Sequence, residues 1–201
     1  MAQVFSGYPE TKWVSNHQFE DDGDRNPNQD MTLLKEFYFI DKEDKKWTVP
    51  EGSYLNGATI PRALWSRIGS PFVGKYRRAS VVHDYFVGEG PNPDVEIVIR
   101  KDADKMFYEA CLFDNCSKSF AAVLFVGVCL GTWWAKRKTL LRNSKNRTDE
   151  DFKEFPEDRM IQAKFEEVIT ELEDSLGTMD FEELYSKVER YLIVKETNIN
   201  L

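Results

Sequence analysis

The chain lacks the residue patterns of several common enzyme classes. It has three cysteines and two histidines among 201 residues, and the cysteines form no Cys-x-x-Cys pair. Metal centres built from several histidines or closely spaced cysteines are therefore excluded by counting. The Gly-x-Ser-x-Gly elbow of many serine hydrolases and the glycine-rich phosphate loop are also absent.

An export signal is absent as well. The N-terminal residues MAQVFSGYPETKW have no charged stretch followed by an apolar one, and the cysteine count is odd. Sparse, odd cysteines without such a signal are typical of a reducing compartment. We therefore expect a cytoplasmic protein, with export by a signal-independent route left open.

Long hydrophobic runs are rare, and one segment decides the question of a membrane span. The sixteen residues 120–135, FAAVLFVGVCLGTWWA, contain one ordinary polar residue, Thr132, and basic residues follow them. A transmembrane helix needs roughly 20 apolar residues. We expect a buried central helix here, and the alternative is membrane insertion or peripheral membrane contact.

Charge is unevenly distributed along the chain. The net charge is −8, yet residues 149–190 alone carry fifteen acidic and five basic residues. This acidic segment argues against nucleic acid as a partner, because phosphate binding needs Lys and Arg. It suits a basic protein partner, although a solvated helix face explains the same charges.

Hydrophobic periodicity predicts an α+β fold that is mainly α. Residues 33–40 and 47–55 read as a small antiparallel β-hairpin whose second strand is broken by Pro50 and Gly52. Apolar residues at helical spacing then predict a short helix, three core helices and two acidic amphipathic helices. Their ranges are 61–67; 75–87, 100–113 and 120–135; 155–175 and 181–194.

These elements suggest a division of the chain into three parts. Residues 1–30 are polar and irregular, and we expect them to form an N-terminal segment outside the core. The hairpin and the three core helices make up a core domain over residues 31–142. The two acidic helices form an extension over residues 150–201.

The dipeptide His83–Asp84 is the pair most suggestive of chemistry. Adjacent side chains on a helix point about 100° apart, so these two residues should meet different partners. Imidazole, with an ordinary pKa of about 6.5, is a natural general base if an acceptor orients its second nitrogen. Asp104 or Asp102 on the next helix supplies that acceptor if the two helices are neighbours.

Two interpretations of this group remain open at the level of sequence. In the first, His83 acts on a substrate while Asp84 holds a cation or an arginine. In the second, a buried His–Asp pair simply joins two helices, together with arginines nearby in the sequence. Those arginines are Arg62, Arg77 and Arg78.

Three ordered motifs resemble a known family. The segments VPEGSYLNGATIPRALWSRIG, KYRRASVVHDYF and RKDADKMFYEA together resemble the phage- and prophage-associated domain of unknown function 1353. The resemblance covers roughly residues 31–140 and by itself implies no activity. Asn56, Thr59 and Val87 depart from the pattern, which usually has aspartate, serine and tyrosine at these positions.

The His-Asp helix and its partner are also similar to the core of microbial-type phospholipase A2. That similarity implies that His83 activates water, Asp84 holds calcium and Asp104 orients His83. The cysteines that brace such enzymes are absent here. A recognisable calcium loop is absent too, unless the segment that begins at Asn56 stands in for it.

The resulting hypothesis is that the protein is a His-dependent hydrolase. Assistance by Ca²⁺ or another divalent metal is left open. Its substrate would be an ester or amide bond in a cell-envelope molecule such as a phospholipid. His83 and Asp104 would be catalytic, and Asp84 and Asn56 would be metal ligands. The alternative is a non-enzymatic phage or prophage interaction or assembly protein whose His–Asp pair is structural.

Overall fold

The fold is described from a computed structural model of the chain. The structure describes residues 2–14, 31–57, 60–70, 73–87, 100–143 and 157–193. Residues 15–30 of the N-terminal segment predicted to be irregular lie outside these ranges. The chain forms two compact units: the first comprises residues 1–58 and 71–116, and the second comprises residues 59–70 and 117–201.

The first unit contains two small antiparallel sheets of three strands each. One sheet has the strand order β1-β4-β5 and the other has the order β2-β3-β6. The strands are β1 (Val4–Phe5), β2 (Thr11–Trp13), β3 (Met31–Leu33), β4 (Phe37–Ile40), β5 (Lys46–Val49) and β6 (Tyr54–Leu55).

The predicted hairpin is present as β4 and β5, with Phe37 opposite Val49. Alternate residues of both strands are buried, as expected for a sheet with one face on a core. The sheet content exceeds one hairpin, because β3 and β6 pair with each other in the second sheet.

The prediction that residues 1–30 are irregular is wrong for residues 4–5 and 11–13. These short strands pair with β4 and β3 respectively. Strands of two or three residues show too little alternation to be recognised in a sequence. Phe5 explains why β1 joins the sheet, since its ring lies 4.6 Å from the ring of Phe39.

Two helices complete the first unit, α2 (Arg77–Val87) and α3 (Arg100–Phe113). They pack against each other, and α2 also contacts β4, β5 and β6. Both helices were predicted within two residues of their observed bounds. Each has a continuous apolar face, which is the pattern that hydrophobic periodicity detects most reliably.

The second unit is helical over its described residues. A 3₁₀ turn (Arg62–Leu64) leads into α1 (Trp65–Ile68), and three longer helices follow. These are α4 (Lys118–Asn143), α5 (Glu157–Leu172) and α6 (Phe181–Ile193). Helix α4 packs against both α5 and α6. The fold class predicted from the sequence, α+β and mainly α, is confirmed.

The apolar run of α4 is buried inside the second unit. Seven of its residues are fully buried, namely Ala121, Ala122, Leu124, Phe125, Val126, Val128 and Leu130. A Cβ at Gly127 would lie 3.2 Å from Ile68 Cδ1, so glycine permits a close approach to α1. In the part of the chain that the structure describes, none of the helices has the length and apolarity to cross a bilayer.

The turn between β4 and β5 is held by one buried carboxylate, Asp41. Its Oδ1 accepts hydrogen bonds of 2.9 Å from the backbone N–H groups of Glu43 and Lys45. Its Oδ2 accepts a 2.7 Å bond from Nε1 of Trp47. Removing this side chain leaves a buried indole donor without an acceptor.

We therefore predict that Asp41→Ala lowers the free energy of unfolding by about 2–4 kcal/mol, because three donors lose their acceptor. Urea denaturation monitored by Trp fluorescence measures the loss. The control is Glu36→Ala, which removes only an ion pair with the half-exposed Lys46. That variant should lose less than about 0.5 kcal/mol. Equal losses in the two variants would contradict the assigned role.

Candidate functional site

His83 lies on the face of α2 that packs against α3. Its Nε2 is 2.7 Å from Oδ1 of Asp104, and the two residues are 0% and 4% exposed. Asp104 and Phe107 are three residues apart, so both present their side chains to α2. The Phe107 ring lies 5.0 Å from the imidazole. Of the two acceptors that the sequence left open, Asp104 is the partner and Asp102 is exposed.

The environment of the imidazole keeps it neutral. Burial lowers the pKa of His83 below its usual value of 6.5, and the hydrogen bond to Asp104 opposes that effect only in part. The positive charge of Arg100 lowers the pKa further. A neutral imidazole that faces a carboxylate donates from Nε2, which assigns the lone pair to Nδ1.

This Nδ1 atom is buried and has no hydrogen-bond partner in the part of the chain that the structure describes. Buried polar atoms in folded proteins are nearly always paired, so an unpaired basic nitrogen calls for a functional explanation. The arrangement is that of a general base, with one ring nitrogen held by a carboxylate and the other available for a proton.

Sequence reasoning missed Ser80, which stands one helical turn before His83. It is 1% exposed, and its Oγ also has no hydrogen-bond partner among the described residues. Residues three apart on a helix lie on the same side, so the side chains of Ser80 and His83 share one face of α2. The spacing in SVVHD was the available signal.

Arg100 is the second residue to which the sequence gave no role, although it belongs to the motif RKDAD. Its Nε lies 4.0 Å from Oδ2 of Asp104, beyond hydrogen-bonding distance. The Asp104 carboxylate therefore lies between an imidazole and a guanidinium. A positive group thus lies near the carboxylate that contacts His83.

Asp84 has different partners from His83, as expected for adjacent helical residues. Its Oδ2 accepts hydrogen bonds from the backbone N–H groups of Asn56 at 2.6 Å and Gly57 at 3.1 Å. Gly57 has a φ of +95°, a conformation that side chains disfavour. Asp84 thus ties α2 to the turn after β6.

The described contacts of Asp84 Oδ2 are with hydrogen-bond donors. Calcium takes six to eight oxygen ligands, whereas the contacts with Asn56 and Gly57 bring two N–H donors to Asp84 Oδ2. Among the described residues, no group of three or more His, Cys, Asp or Glu side chains is placed to hold a metal ion. The assignment of Asp84 and Asn56 as metal ligands stays a prediction.

The arginines proposed to join a structural pair have other partners. Arg78 forms an ion pair with Asp114, with its Nε 2.9 Å from Oδ2. Arg77 Nη2 donates to Thr11 Oγ1 at 3.3 Å. The side chain of Arg62 lies outside the described part of the chain.

The site lies within a segment that matches a family model without an assigned activity. Residues 31–128, which include His83, Asp84 and Asp104, match the family model described as "Protein of unknown function (DUF1353)". Two uncharacterized proteins of Sinorhizobium fredii (strain NBRC 101917 / NGR234) are similar to the chain. The protein y4jT is 48% identical over 63 residues, and y4iH is 31% identical over 104 residues.

These matches cover limited parts of each protein. They span 31% of this chain and 19% of y4jT, and 51% of this chain and 41% of y4iH. The chain therefore matches less than half the length of either relative. No solved structure matches the chain.

The lowered pKa of His83 predicts how stability depends on pH. Because the folded pKa lies below the unfolded value of about 6.5, the unfolded state binds a proton first on acidification. The contribution of neutral His83 to the free energy of unfolding is fully present above pH 6.5. It is lost below that pH, at up to about 1.4 kcal/mol per pH unit, until the folded state also binds the proton.

Urea denaturation at pH 7.5 and 5.5 measures this difference. We expect His83→Gln to reduce the loss between the two pH values, whereas His17→Gln, which removes the other histidine, keeps the wild-type loss. The same loss in all three proteins would show that His83 is not held neutral.

Proposed function

We propose that His83 and Asp104, which lie in the segment that matches the model of the family of unknown function DUF1353, are the catalytic pair of a hydrolase. The reaction is hydrolysis of an ester or amide bond in a cell-envelope substrate of the phospholipid type. One observation carries the proposal: among the described residues Nδ1 of His83 has no hydrogen-bond partner, while Nε2 lies 2.7 Å from Oδ1 of Asp104.

In the proposed reaction, Nδ1 takes a proton from a water molecule as the water oxygen attacks the carbonyl carbon. The imidazolium that forms is stabilised by Asp104, which also keeps the ring in one tautomer and orientation. The imidazolium then donates its proton to the leaving oxygen or nitrogen. Each proton transfer is one that a neutral histidine performs near pH 7.

Ser80 supports the same reaction. A water molecule that satisfies both Ser80 Oγ and His83 Nδ1 would remove two unpaired buried polar atoms at once. Such a water is held next to the base that activates it. Ser80 is therefore proposed as a residue that positions the nucleophilic water.

No step of this reaction is assigned to a metal. Two N–H groups donate to Asp84 Oδ2, which supports a positioning role for this carboxylate. Asp84 instead fixes α2 relative to the turn at Asn56, and so holds His83 in place. Titration of the protein with calcium decides whether calcium assists the reaction.

A second candidate is favoured by the complete burial of His83. A catalytic base needs a route for substrate, and the residues that cover the imidazole must open to provide one. A sealed pair fits the non-enzymatic alternative, a phage or prophage interaction or assembly protein. The acidic surfaces of α5 and α6 would then bind a basic protein partner.

Hydrolysis assays with short-chain phospholipids and p-nitrophenyl esters test the two candidates. For a hydrolase, His83→Gln and Asp104→Asn should each lower kcat at least about 100-fold with little change in KM, because they remove a proton acceptor and its orienter. Ser80→Ala should lower kcat less, and Ser80→Thr should restore part of it. His17→Gln is the control and should retain wild-type activity.

The contrary result is also informative. If the folded wild type hydrolyses none of these substrates, the hydrolase proposal fails for this substrate class. Apolar replacement of both partners, His83→Leu with Asp104→Leu, then distinguishes a structural pair. Such a replacement is expected to leave stability unchanged or raised, since buried ion pairs are often replaceable by packed hydrophobic residues.

For Asp84 we predict that Asp84→Asn lowers the free energy of unfolding by about 1–3 kcal/mol, because two backbone donors lose a charged acceptor. Calorimetric titration with CaCl₂ should give no site-specific heat for either the wild type or the variant. Circular dichroism checks the fold. Calcium binding by the wild type that disappears in the folded variant would establish Asp84 as a ligand and replace the metal-free mechanism.

A further inference from the structure

The C-terminal end of α3 brings two cysteines together, away from the His83 site. Cys111 is fully buried and Cys116 is 7% exposed. Asn115 adopts a left-handed conformation with a φ of 61°, which reverses the chain. The N–H of Cys116 then donates to the carbonyl of Cys111 at 3.0 Å, and the N–H of Asn115 donates to that of Leu112 at 3.1 Å. This is the closing pattern of a Schellman motif.

The closure places the two side chains in contact. In a Schellman motif the side chains of the residues at these two positions, here Cys111 and Cys116, commonly contact each other. The backbone hydrogen bond between the two residues brings their Cα atoms close together, as a disulfide requires.

The two thiols differ in how easily they lose a proton. The hydrogen bond from Cys111 lowers the pKa of Cys116, and the nearby Lys75 ammonium lowers it further, although burial and Asp114 oppose both effects. Burial raises the pKa of Cys111 well above its usual value. Cys116, which is also the more exposed, is therefore the thiol that reacts as a thiolate.

We propose that Cys111 and Cys116 form a dithiol site that hydroperoxides oxidise to an intramolecular disulfide. The Cys116 thiolate attacks the terminal oxygen of the hydroperoxide, the O–O bond breaks, and the leaving alkoxide takes a proton and departs as an alcohol. The product on the protein is a sulfenic acid. Cys111 sulfur then attacks Cys116 sulfur and displaces hydroxide, which takes the Cys111 proton and leaves as water. The two thiols are oxidised and one hydroperoxide is reduced.

The consequence of oxidation is confined to the end of α3. Tyr76 at the start of α2 lies close to the thiol pair, and burial, with the two thiols, raises its pKa to about 12. The disulfide covalently closes the turn after α3, the helix that carries Asp104. The site is independent of the proposed hydrolase activity, so either proposal can fail while the other stands.

Peptide mapping of the full-length protein tests the site. Trypsin cleaves after Lys105 and Lys118, so one fragment, residues 106–118, holds both cysteines, and Cys129 falls in another. The folded protein is treated with hydrogen peroxide or tert-butyl hydroperoxide and its remaining thiols are alkylated before digestion. We expect the fragment to be lighter by two hydrogen atoms and to resist alkylation. Reduction before alkylation should restore both reactive thiols.

Three variants provide the controls. Cys129→Ser should still form the disulfide. Cys111→Ser should form none and should expose a sulfenic acid on Cys116 that dimedone traps. Cys116→Ser should leave Cys111 unoxidised. If residues 106–118 of the wild type keep both free thiols, or if Cys116 is oxidised without forming the disulfide, the proposal is wrong. The deciding measurement is the peptide map of the wild-type protein, so its result stands even if a variant fails to fold.

Discussion

The buried hydrogen bond between His83 Nε2 and Asp104 Oδ1 is the interaction on which the account of the first unit depends. An unpaired buried carboxylate costs several kcal/mol, so α2 and α3 must align until Asp104 meets a donor. The bond then fixes the imidazole tautomer and leaves Nδ1 as the free basic atom. The contact between His83 and Asp104 therefore sets both the alignment of α2 with α3 and the atom proposed to act as the base.

Asp84 completes the positioning of α2 from another side. His83 joins the helix to α3, while Asp84 joins it to the backbone of Asn56 and Gly57 after β6. Adjacent residues on a helix point about 100° apart, so a His-Asp dipeptide connects a helix to two neighbours at once. This accounts for two adjacent buried polar residues without a metal between them.

Much of the fold and of the His83 site was predictable from the sequence. The features that were not predictable have physical explanations. Helices α2 and α3 carry long periodic apolar faces, and the choice of Asp104 follows from its place on the buried face of α3. Strands as short as β1 give no detectable pattern. The partners of Asp84 are backbone N–H groups, which no residue type reveals. Ser80 was missed because the spacing in SVVHD gains meaning only once the serine side chain is seen to be buried.

The most direct test of the central claim is the protonation state of His83, measured by long-range ¹H–¹⁵N NMR on the folded protein at pH 7, with His83→Gln used for assignment. The account predicts a neutral ring with the proton on Nε2 and an unprotonated Nδ1. A ring protonated on both nitrogens, or on Nδ1 alone, would contradict the assignment of a free base at this site.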